Sequence, residues 1–293
     1  MRTAASIASG VEMNRFPRMT RLGWRLGRSL YMRARGEERR GDIARNGEAH
    51  LQQCVIANVP AEETLTVMDI GANQGEWTET FLSGLPAARR GSDHVILHAF
   101  EPVPATAAMF RDRITRLPGN EIVQVHPLAM SESPGQAEIG VFADGAGTNS
   151  LHHAADARSP EHVILIELTT LDAFCGSEGI EHIHLAKCDT EGHDSKVLKG
   201  AKALLRDERI DVLQFEYNHR WVFGHAFLKD VFELVEGLPY DVVRVDETGL
   251  TLFESWHPEL DRFFQSNYAL VHRHALVWFT VNRGSFDGSN TYA

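Results

Sequence analysis

The sequence predicts an α/β fold with a doubly wound, mostly parallel sheet and helices on both faces. Three observations carry this. Short apolar runs alternate with helix-permissive segments in the order β-α-β-α-β, at about 30 residues per unit. One run ends at Asp69 and breaks into Gly71 and Gly75 around a polar tetrad, which reads as a buried strand turning sharply into a helix. Two further runs end on Glu101-Pro102 and on Asp189, at the strand ends where such sheets bind ligands.

In chain order, residues 1–12 carry no periodic pattern and are expected to be disordered. Over 16–35, Phe16, Met19, Leu22, Leu26 and Leu30 follow helical spacing, with Arg18, Arg21, Arg25 and Arg28 on another face. Gly23 and Gly27 weaken that helix. A charged, glycine-containing linker over 36–47 follows. Helix 49–58 leads to the strand ending at Asp69, then come helix 74–85, strand 94–100, helix 105–117 and strand 121–128. Residues 131–142 read as a strand pair around Ser133-Pro134-Gly135, and 144–160 as a long surface loop. Strand 162–168 and a helical turn at 171–174 precede strand 182–188, helix 194–205, strand 211–215 and helix 226–238. Short strands at 241–245, 250–253 and 268–272 close the pattern. The domain assignment is a basic, partly helical arm (1–47), one large domain (48–281) and a flexible tail (282–293).

Charge is unevenly distributed. Residues 1–45 hold eleven Arg, no Lys and four acids, a net +7; the whole chain carries −11, so the remainder carries −18. An acidic body argues against nucleic acid as partner. The basic arm is read as a helix packed on the body or on a second subunit, as a peripheral contact with an anionic membrane, as a contact with an acidic substrate or, ranked lower, as an organelle transit peptide. No run approaches the roughly 18 apolar residues of a transmembrane helix, and the start lacks a signal peptide's apolar centre. Three scattered cysteines without a C-x-x-C pair fit a reduced, cytoplasmic protein. Fifteen histidines include His152-His153 and His182-x-His184, but no third ligand follows at a supporting spacing.

The ligand at the glycine turn follows from its spacing. A dinucleotide site wants G-x-G-x-x-G; here Asn73 replaces the second glycine. S-adenosylmethionine carries no phosphate. It needs an acid for two ribose hydroxyls, a polar pocket for the amino-acid end and an apolar slot for adenine. Glu101 at the second strand end suits the ribose. Asp69 suits the ammonium, directly or through water, and Asn73 with nearby amides suits the carboxylate. Gly71, Gly75, Pro102 and Asp189 complete the expected cofactor site.

These motifs resemble the FkbM-type S-adenosylmethionine-dependent methyltransferases. The matching segments are VMDIGANQGEW (67–77), AFEP (99–102), PLAMSE (127–132), TTLDAF (169–174), AKCDTEGHDSKVLKGA (186–201) and FEYN (215–218), covering about 60–275 in order. The resemblance implies a class I methyltransferase fold, Rossmann-like, with a seven-stranded sheet whose last strand is antiparallel. It also implies O-methylation of hydroxyls on sugars or other natural products. Where many members carry alanine or phenylalanine and then glutamate after the Glu-Gly pair, this chain carries His193-Asp194.

Transfer to a hydroxyl needs alignment and removal of a proton. His193, Asp189 and Glu216 are the catalytic candidates, with His193 the histidine chosen as base. Asp189 and Asp194 compete for the helix N-cap. Glu191, Asn218, His219 and Trp221 are candidates for the acceptor, with Trp221 equally readable as core. A divalent metal on Asp189, Glu216 and Asn218 is not favoured, because the last two are not an adjacent acid–amide pair. The expected activity is O-methyl transfer to a hydroxyl of a glycan or secondary metabolite. The alternatives are a carboxylate or amine methyltransferase and a cofactor-fold binding protein without catalysis. The partner is a small-molecule or glycan acceptor, with a homo-oligomer left open.

Overall fold

The structure, a computed structural model, describes residues 18–36, 42–90, 94–143, 145, 149–152 and 159–291. The chain divides into two units, Met1–Glu37 and Glu38–Ala293. The described part of the first is helix α1 (Arg18–Ala34), in which Gly23 and Gly27 are accommodated without a break.

In the second unit, β1 (Leu65–Ile70) is an interior strand of a nine-stranded sheet. On one side lie β2 (Val95–Phe100) and β3 (Val123–His126). On the other lie β7 (Ile183–Cys188), β8 (Ile210–Tyr217), β11 (Ser266–His272), β9 (Tyr240–Asp246), β10 (Gly249–Phe253) and β12 (Val281–Arg283), in that order. Strands β3, β2, β1, β7 and β8 are mutually parallel, and β11 runs antiparallel between β8 and β9. This is the class I methyltransferase arrangement. The seven strands expected from the resemblance are all present, with β11 as the antiparallel one. The correction is in number, since β10 and β12 extend the β9 edge. Residues 281–283 are therefore paired strand, where a flexible tail was expected from 282. Phe286 beyond them stacks on Phe253 and His257.

Strands β1 and β7 are buried at nearly every position because both sheet faces are covered. Val67, Leu97 and Leu185 pack beneath α2 (Glu48–Asn58), α3 (Glu76–Gly84) and α4 (Pro104–Ile114). Met68, Ile70 and Phe215 pack on the other face with α5 (Leu171–Glu178), α6 (Asp194–Lys199), α7 (Lys202–Arg206) and α8 (Leu228–Leu234).

Two elements differ from expectation for tertiary reasons. The helix read over 194–205 is two helices broken at Gly200-Ala201. A Cβ on Gly200 would lie 2.1 Å from the Ser131 carbonyl oxygen, and the Asp172 carboxylate accepts the Ala203 and Leu204 N–H groups that start α7. The strand pair read over 131–142 does not pair with itself. β5 (Gly135–Val141) pairs antiparallel with β6 (His162–Thr169), and β4 (Ala129–Met130) adds to the other edge of β6, forming a separate three-stranded sheet.

Candidate active site

Register gathers the candidate residues. Ile70 lies beside Phe100 and beside Cys188, and Cys188 beside Phe215. The residues just past those rungs, Gly71, Glu101, Asp189 and Glu216, therefore surround one crevice. It lies where the strand order reverses around β1, the usual ligand position in open α/β sheets. The crevice opens into a cavity of about 380 Å³ walled by all four.

The glycines of the floor make the sharp turn expected of them. Gly71 and Gly75 take φ of 77° and 86°, which favours glycine. A Cβ on Gly71 would lie 2.0 Å from the Asp189 carbonyl oxygen, and one on Gly75 2.8 Å from the Phe110 ring. They also let the turn pack closely against Asp189 and α4. Gly71 lines the cavity; Gly75 does not.

Glu101 is held by the backbone. Asn73 N–H donates to Oε2 at 3.0 Å and Val103 N–H to Oε1 at 2.9 Å, leaving each oxygen a further lone pair. Burial lifts its pKa to about 7, against the pull of those two bonds. Asp69 is fully buried behind the floor and is not on the cavity wall, so direct contact with a cofactor ammonium is corrected. Its Oδ2 accepts the Thr78 hydroxyl at 2.6 Å, and its Oδ1 lies 3.4 Å from Lys187 Nζ.

Lys187 ties the floor together. Its Nζ donates to the Gly71 carbonyl at 3.0 Å and lies 3.7 Å from Asp189 Oδ2. Burial opposes its charge, but Asp69, Asp189 and Glu48 outweigh burial and raise its pKa. Glu48 carries a pKa raised by burial, and its carboxylate accepts Asn46 Nδ2 at 2.7 Å and the Gln214 amide. Ile43, Asn46 and Glu48 line the cavity, so 42–47 is part of its wall rather than linker.

On the rim, neither Asp189 nor Asp194 is the helix N-cap, which is His193 without a side-chain cap bond. Asp194 opens α6 and ties down the loop before it: its Oδ1 accepts Thr190 N–H and its Oδ2 accepts Gly192 N–H, each at 3.2 Å, and burial lifts its pKa to about 7. Asp189 Oδ1 is buried without a hydrogen-bond partner. His193 is buried on the wall, with Nε2 3.0 Å from Ser131 Oγ and Nδ1 unpartnered. Burial, with His152 and Lys196 nearby, lowers its pKa to about 3, so the ring is neutral near pH 7. The His152 ring is centred 5.5 Å away; His153 lies outside the described residues.

The acceptor candidates divide. Glu191 lines the cavity and pairs with Arg220. Glu216 lines it too, with its carboxylate accepting the Gln265 amide at 2.6 Å and the Asn218 amide. Asn218, His219 and Trp221 are not on the wall. Asn218 Oδ1 accepts Arg220 N–H, His219 is exposed, and Trp221 is core, its indole donating to the Glu216 carbonyl at 2.8 Å. Asn149, Gln265 and Asn267 supply amides that motif reading missed. Of the residues in the metal reading, Asp189 and Glu216 line the cavity and Asn218 does not.

At the other end of β7, Asp211 joins His182 and His184 as the third side chain that spacing did not reveal. Thr66 N–H donates to His184 Nδ1 at 3.0 Å, so the neutral ring carries its proton on Nε2, which faces Glu63. That ring has no lone pair left for a metal, and His182 is paired with Asp211 at 2.8 Å.

The fold and crevice define a class I, S-adenosylmethionine-dependent methyltransferase. The profile described as "Methyltransferase FkbM domain" matches residues 69–242, more than half of the chain, and the chain belongs to that family. The 2-O-methyltransferase NoeI of Sinorhizobium fredii (strain NBRC 101917 / NGR234) is 25% identical over 182 residues, 58% of this chain and 70% of NoeI. The crystal structure of methyltransferase FkbM from Methylobacillus flagellatus KT is 15% identical over 73% of this chain, with a TM-score of 0.46; the chain spans 45% of its length. Cofactor-bound Rv0187 from MTB is 11% identical, with 85% of this chain and 89% of that one covered and a TM-score of 0.44.

Proposed function

We propose that the protein is an O-methyltransferase acting on a hydroxyl of a sugar or glycan. The observation that carries this is His193 Nδ1, a buried nitrogen without a partner on the wall of the cavity that holds Glu101. A carboxylate acceptor needs no base, whereas a hydroxyl must lose its proton as the methyl arrives. The likeness to NoeI, a 2-O-methyltransferase, supports the same reading.

The wall fits the donor at several points. Glu101 has a free lone pair on each oxygen for the two ribose hydroxyls. Asn73 Oδ1, Trp77 Nε1 and Asp189 Oδ1 are buried polar atoms without partners, suited to an amino-acid end that offers both charges. Pro102, Leu128 and Met130 supply an apolar wall for the base. When bound, S-adenosylmethionine supplies a sulfonium-activated methyl group. The chain's own work is orientation and proton removal. With its proton on Nε2 and donated to Ser131 Oγ, His193 presents the Nδ1 lone pair to the acceptor hydroxyl. Asn149, Gln265 and Asn267 offer both donors and acceptors, matching the mixed character of sugar hydroxyls.

The test is methyl transfer from isotopically labelled S-adenosylmethionine to a panel of free sugars, nucleotide sugars and oligosaccharides, with carboxylate and amine acceptors alongside. Labelled ether on a sugar, lost in His193→Ala with donor affinity retained, is the expected result. Transfer only to carboxylates or amines, indifferent to His193→Ala, would overturn the reading.

A further inference from the structure

A row of aromatic rings leads outward from the acceptor side of the cavity. Tyr217 is buried at the end of β8, one residue after Glu216, which lines the cavity. Phe263, half-buried, stacks on it at 5.6 Å and 25°. Phe263 lies two positions before Gln265, another lining residue, a span of at most about 7 Å. The last ring is Phe227, which caps the start of α8; it is centred 6.0 Å from Phe263 and is 50% exposed.

This row is firmly held. Asp261 accepts the Tyr217 hydroxyl at 2.7 Å, the Trp256 indole N–H at 2.6 Å, and the Leu228 and Lys229 N–H groups at 2.6 and 3.3 Å. One carboxylate thus ties the residues after Phe227 to the end of β8. Phe227 N–H itself donates to Asp230 Oδ2 at 3.0 Å. Phe263 and His225 take φ of 56° and 52°, a conformation that bulky side chains seldom adopt. Burial does not explain a ring fixed with half its surface in water.

We propose that Phe227 is a stacking subsite for the sugar unit next to the one that is methylated, so that the acceptor is an oligosaccharide or glycan chain. The proposal rests on the sugar acceptor argued above. A sugar ring presents a face of C–H groups, whose hydrogens are slightly positive and suit the negative face of an aromatic ring. Its hydroxyls suit a polar surround. Phe227 and Val222 are the exposed large apolar side chains of 216–265, set among the exposed polar His225, Lys229 and Arg262. A folded partner or a bilayer would want contiguous apolar area in their place. Continuity with Glu216 and Gln265 puts the ring within reach of a chain that enters the cavity by one end.

The experiment measures methyl transfer, and binding by saturation-transfer NMR, for matched mono-, di- and trisaccharides of glucose, galactose, mannose and N-acetylglucosamine on the full chain. Expected is a series in which KM falls about tenfold from the single sugar to the disaccharide, the size of one aromatic contact. Phe227→Ala should erase that step and Phe227→Trp should keep it, with S-adenosylmethionine affinity unchanged in both as the check on folding. Equal KM for a single sugar and its disaccharide, or a step that survives Phe227→Ala, would overturn the subsite and leave the sugar acceptor standing. Disaccharide binding that depends on Phe227, without methyl transfer, would support the subsite and overturn the acceptor reading. No sugar bound by the parent would overturn the subsite, and a parent dimer split by Phe227→Ala would then assign the ring to a second copy.

Discussion

Replacing Glu101 tests the donor site through two readouts that move in different directions. In the proposed complex each carboxylate oxygen accepts one backbone N–H and one ribose hydroxyl, so Glu101→Ala removes two hydrogen bonds to a charged group. At roughly 1.5–3 kcal/mol each, partly offset by water entering the space, the loss is about 3–4 kcal/mol, or a factor of about 10²–10³ in donor affinity. The fold responds otherwise. Burial raises the Glu101 pKa from 4.5 to about 7, so the folded protein prefers the protonated acid. The resulting penalty is absent below pH 4.5, grows between 4.5 and 7, and is constant above, at about 3 kcal/mol. Glu101→Gln relieves it while losing about 1 kcal/mol for each disturbed bond to Asn73 and Val103. At pH 8 its melting temperature should stay within a few degrees of the parent while calorimetry records weak donor binding. In the parent, donor affinity should fall about tenfold per pH unit below 7, because the hydroxyls need the ionised acid. Unchanged affinity in Glu101→Ala, or a pH-independent affinity between 6 and 8, would refute the assignment.

Other outcomes follow from single contacts. His193→Ala should lower kcat by about 10²–10⁴ at constant donor affinity, checked by steady-state kinetics beside calorimetry. Because the His193 pKa lies near 3, the parent's acid limb should not track this ring; a limb near 6.5 abolished by His193→Gln would contradict the neutral-ring picture. Gly71→Ala should destabilise by several kcal/mol in denaturant titration, since the new Cβ meets the Asp189 carbonyl and the backbone stays at φ 77°. Lys187→Met should destabilise by about 3–5 kcal/mol, because it strands buried carboxylates; a neutral result would show that they are protonated in the fold. The stacked His98 and His126 act opposite to Glu101: burial lowers their pKa values, to about 4 for His98, so their contribution is complete above 6.5 and lost below it. Between pH 7.5 and 5 the melting temperature of His98→Gln should therefore fall less, or rise more, than that of the parent; the same change in both would refute this.

The sheet was legible because each central strand is a short, largely apolar run followed by a charged residue or a glycine turn, a pattern set by local chemistry. Glu101, Asn73 and Asp189 were legible for the same reason, each lying immediately past such a run. What escaped depends on partners distant in sequence. Glu48, Asn149, Gln265 and Asn267 reach the cavity from a helix start, a loop and the far side of β11, with no periodic signal to mark them. Asp69 misled because strand ends at the crevice alternate between lining it and lying behind it, and one residue of register decides which. Trp221 was ambiguous for want of a contact that only folding supplies, the Glu216 carbonyl that takes its N–H. The break at Gly200 is set by Ser131, which sits 69 positions earlier in the chain.

Asp69, Lys187 and Gln214 stand side by side on three adjacent strands, and Glu48 closes the row from the start of α2. Such a row is a poor source of stability, since burying ions is offset by little more than their mutual attraction. Its geometry indicates another use. Lys187 donates to the Gly71 carbonyl while facing Asp189 and Asp69, so one cation fixes the donor turn and the start of the catalytic rim at once. Asn73 N–H then passes that position to Glu101, and Asp194 holds the rim's own amides in place. Glu101 and Asp189 are thus positioned by neighbours, Glu101 by the Asn73 and Val103 N–H groups and Asp189 by Lys187. Transfer of a methyl group already activated on sulfur demands alignment above all. The polar row supplies that alignment from the rigid centre of the sheet, which leaves the loops above it free to vary with the acceptor.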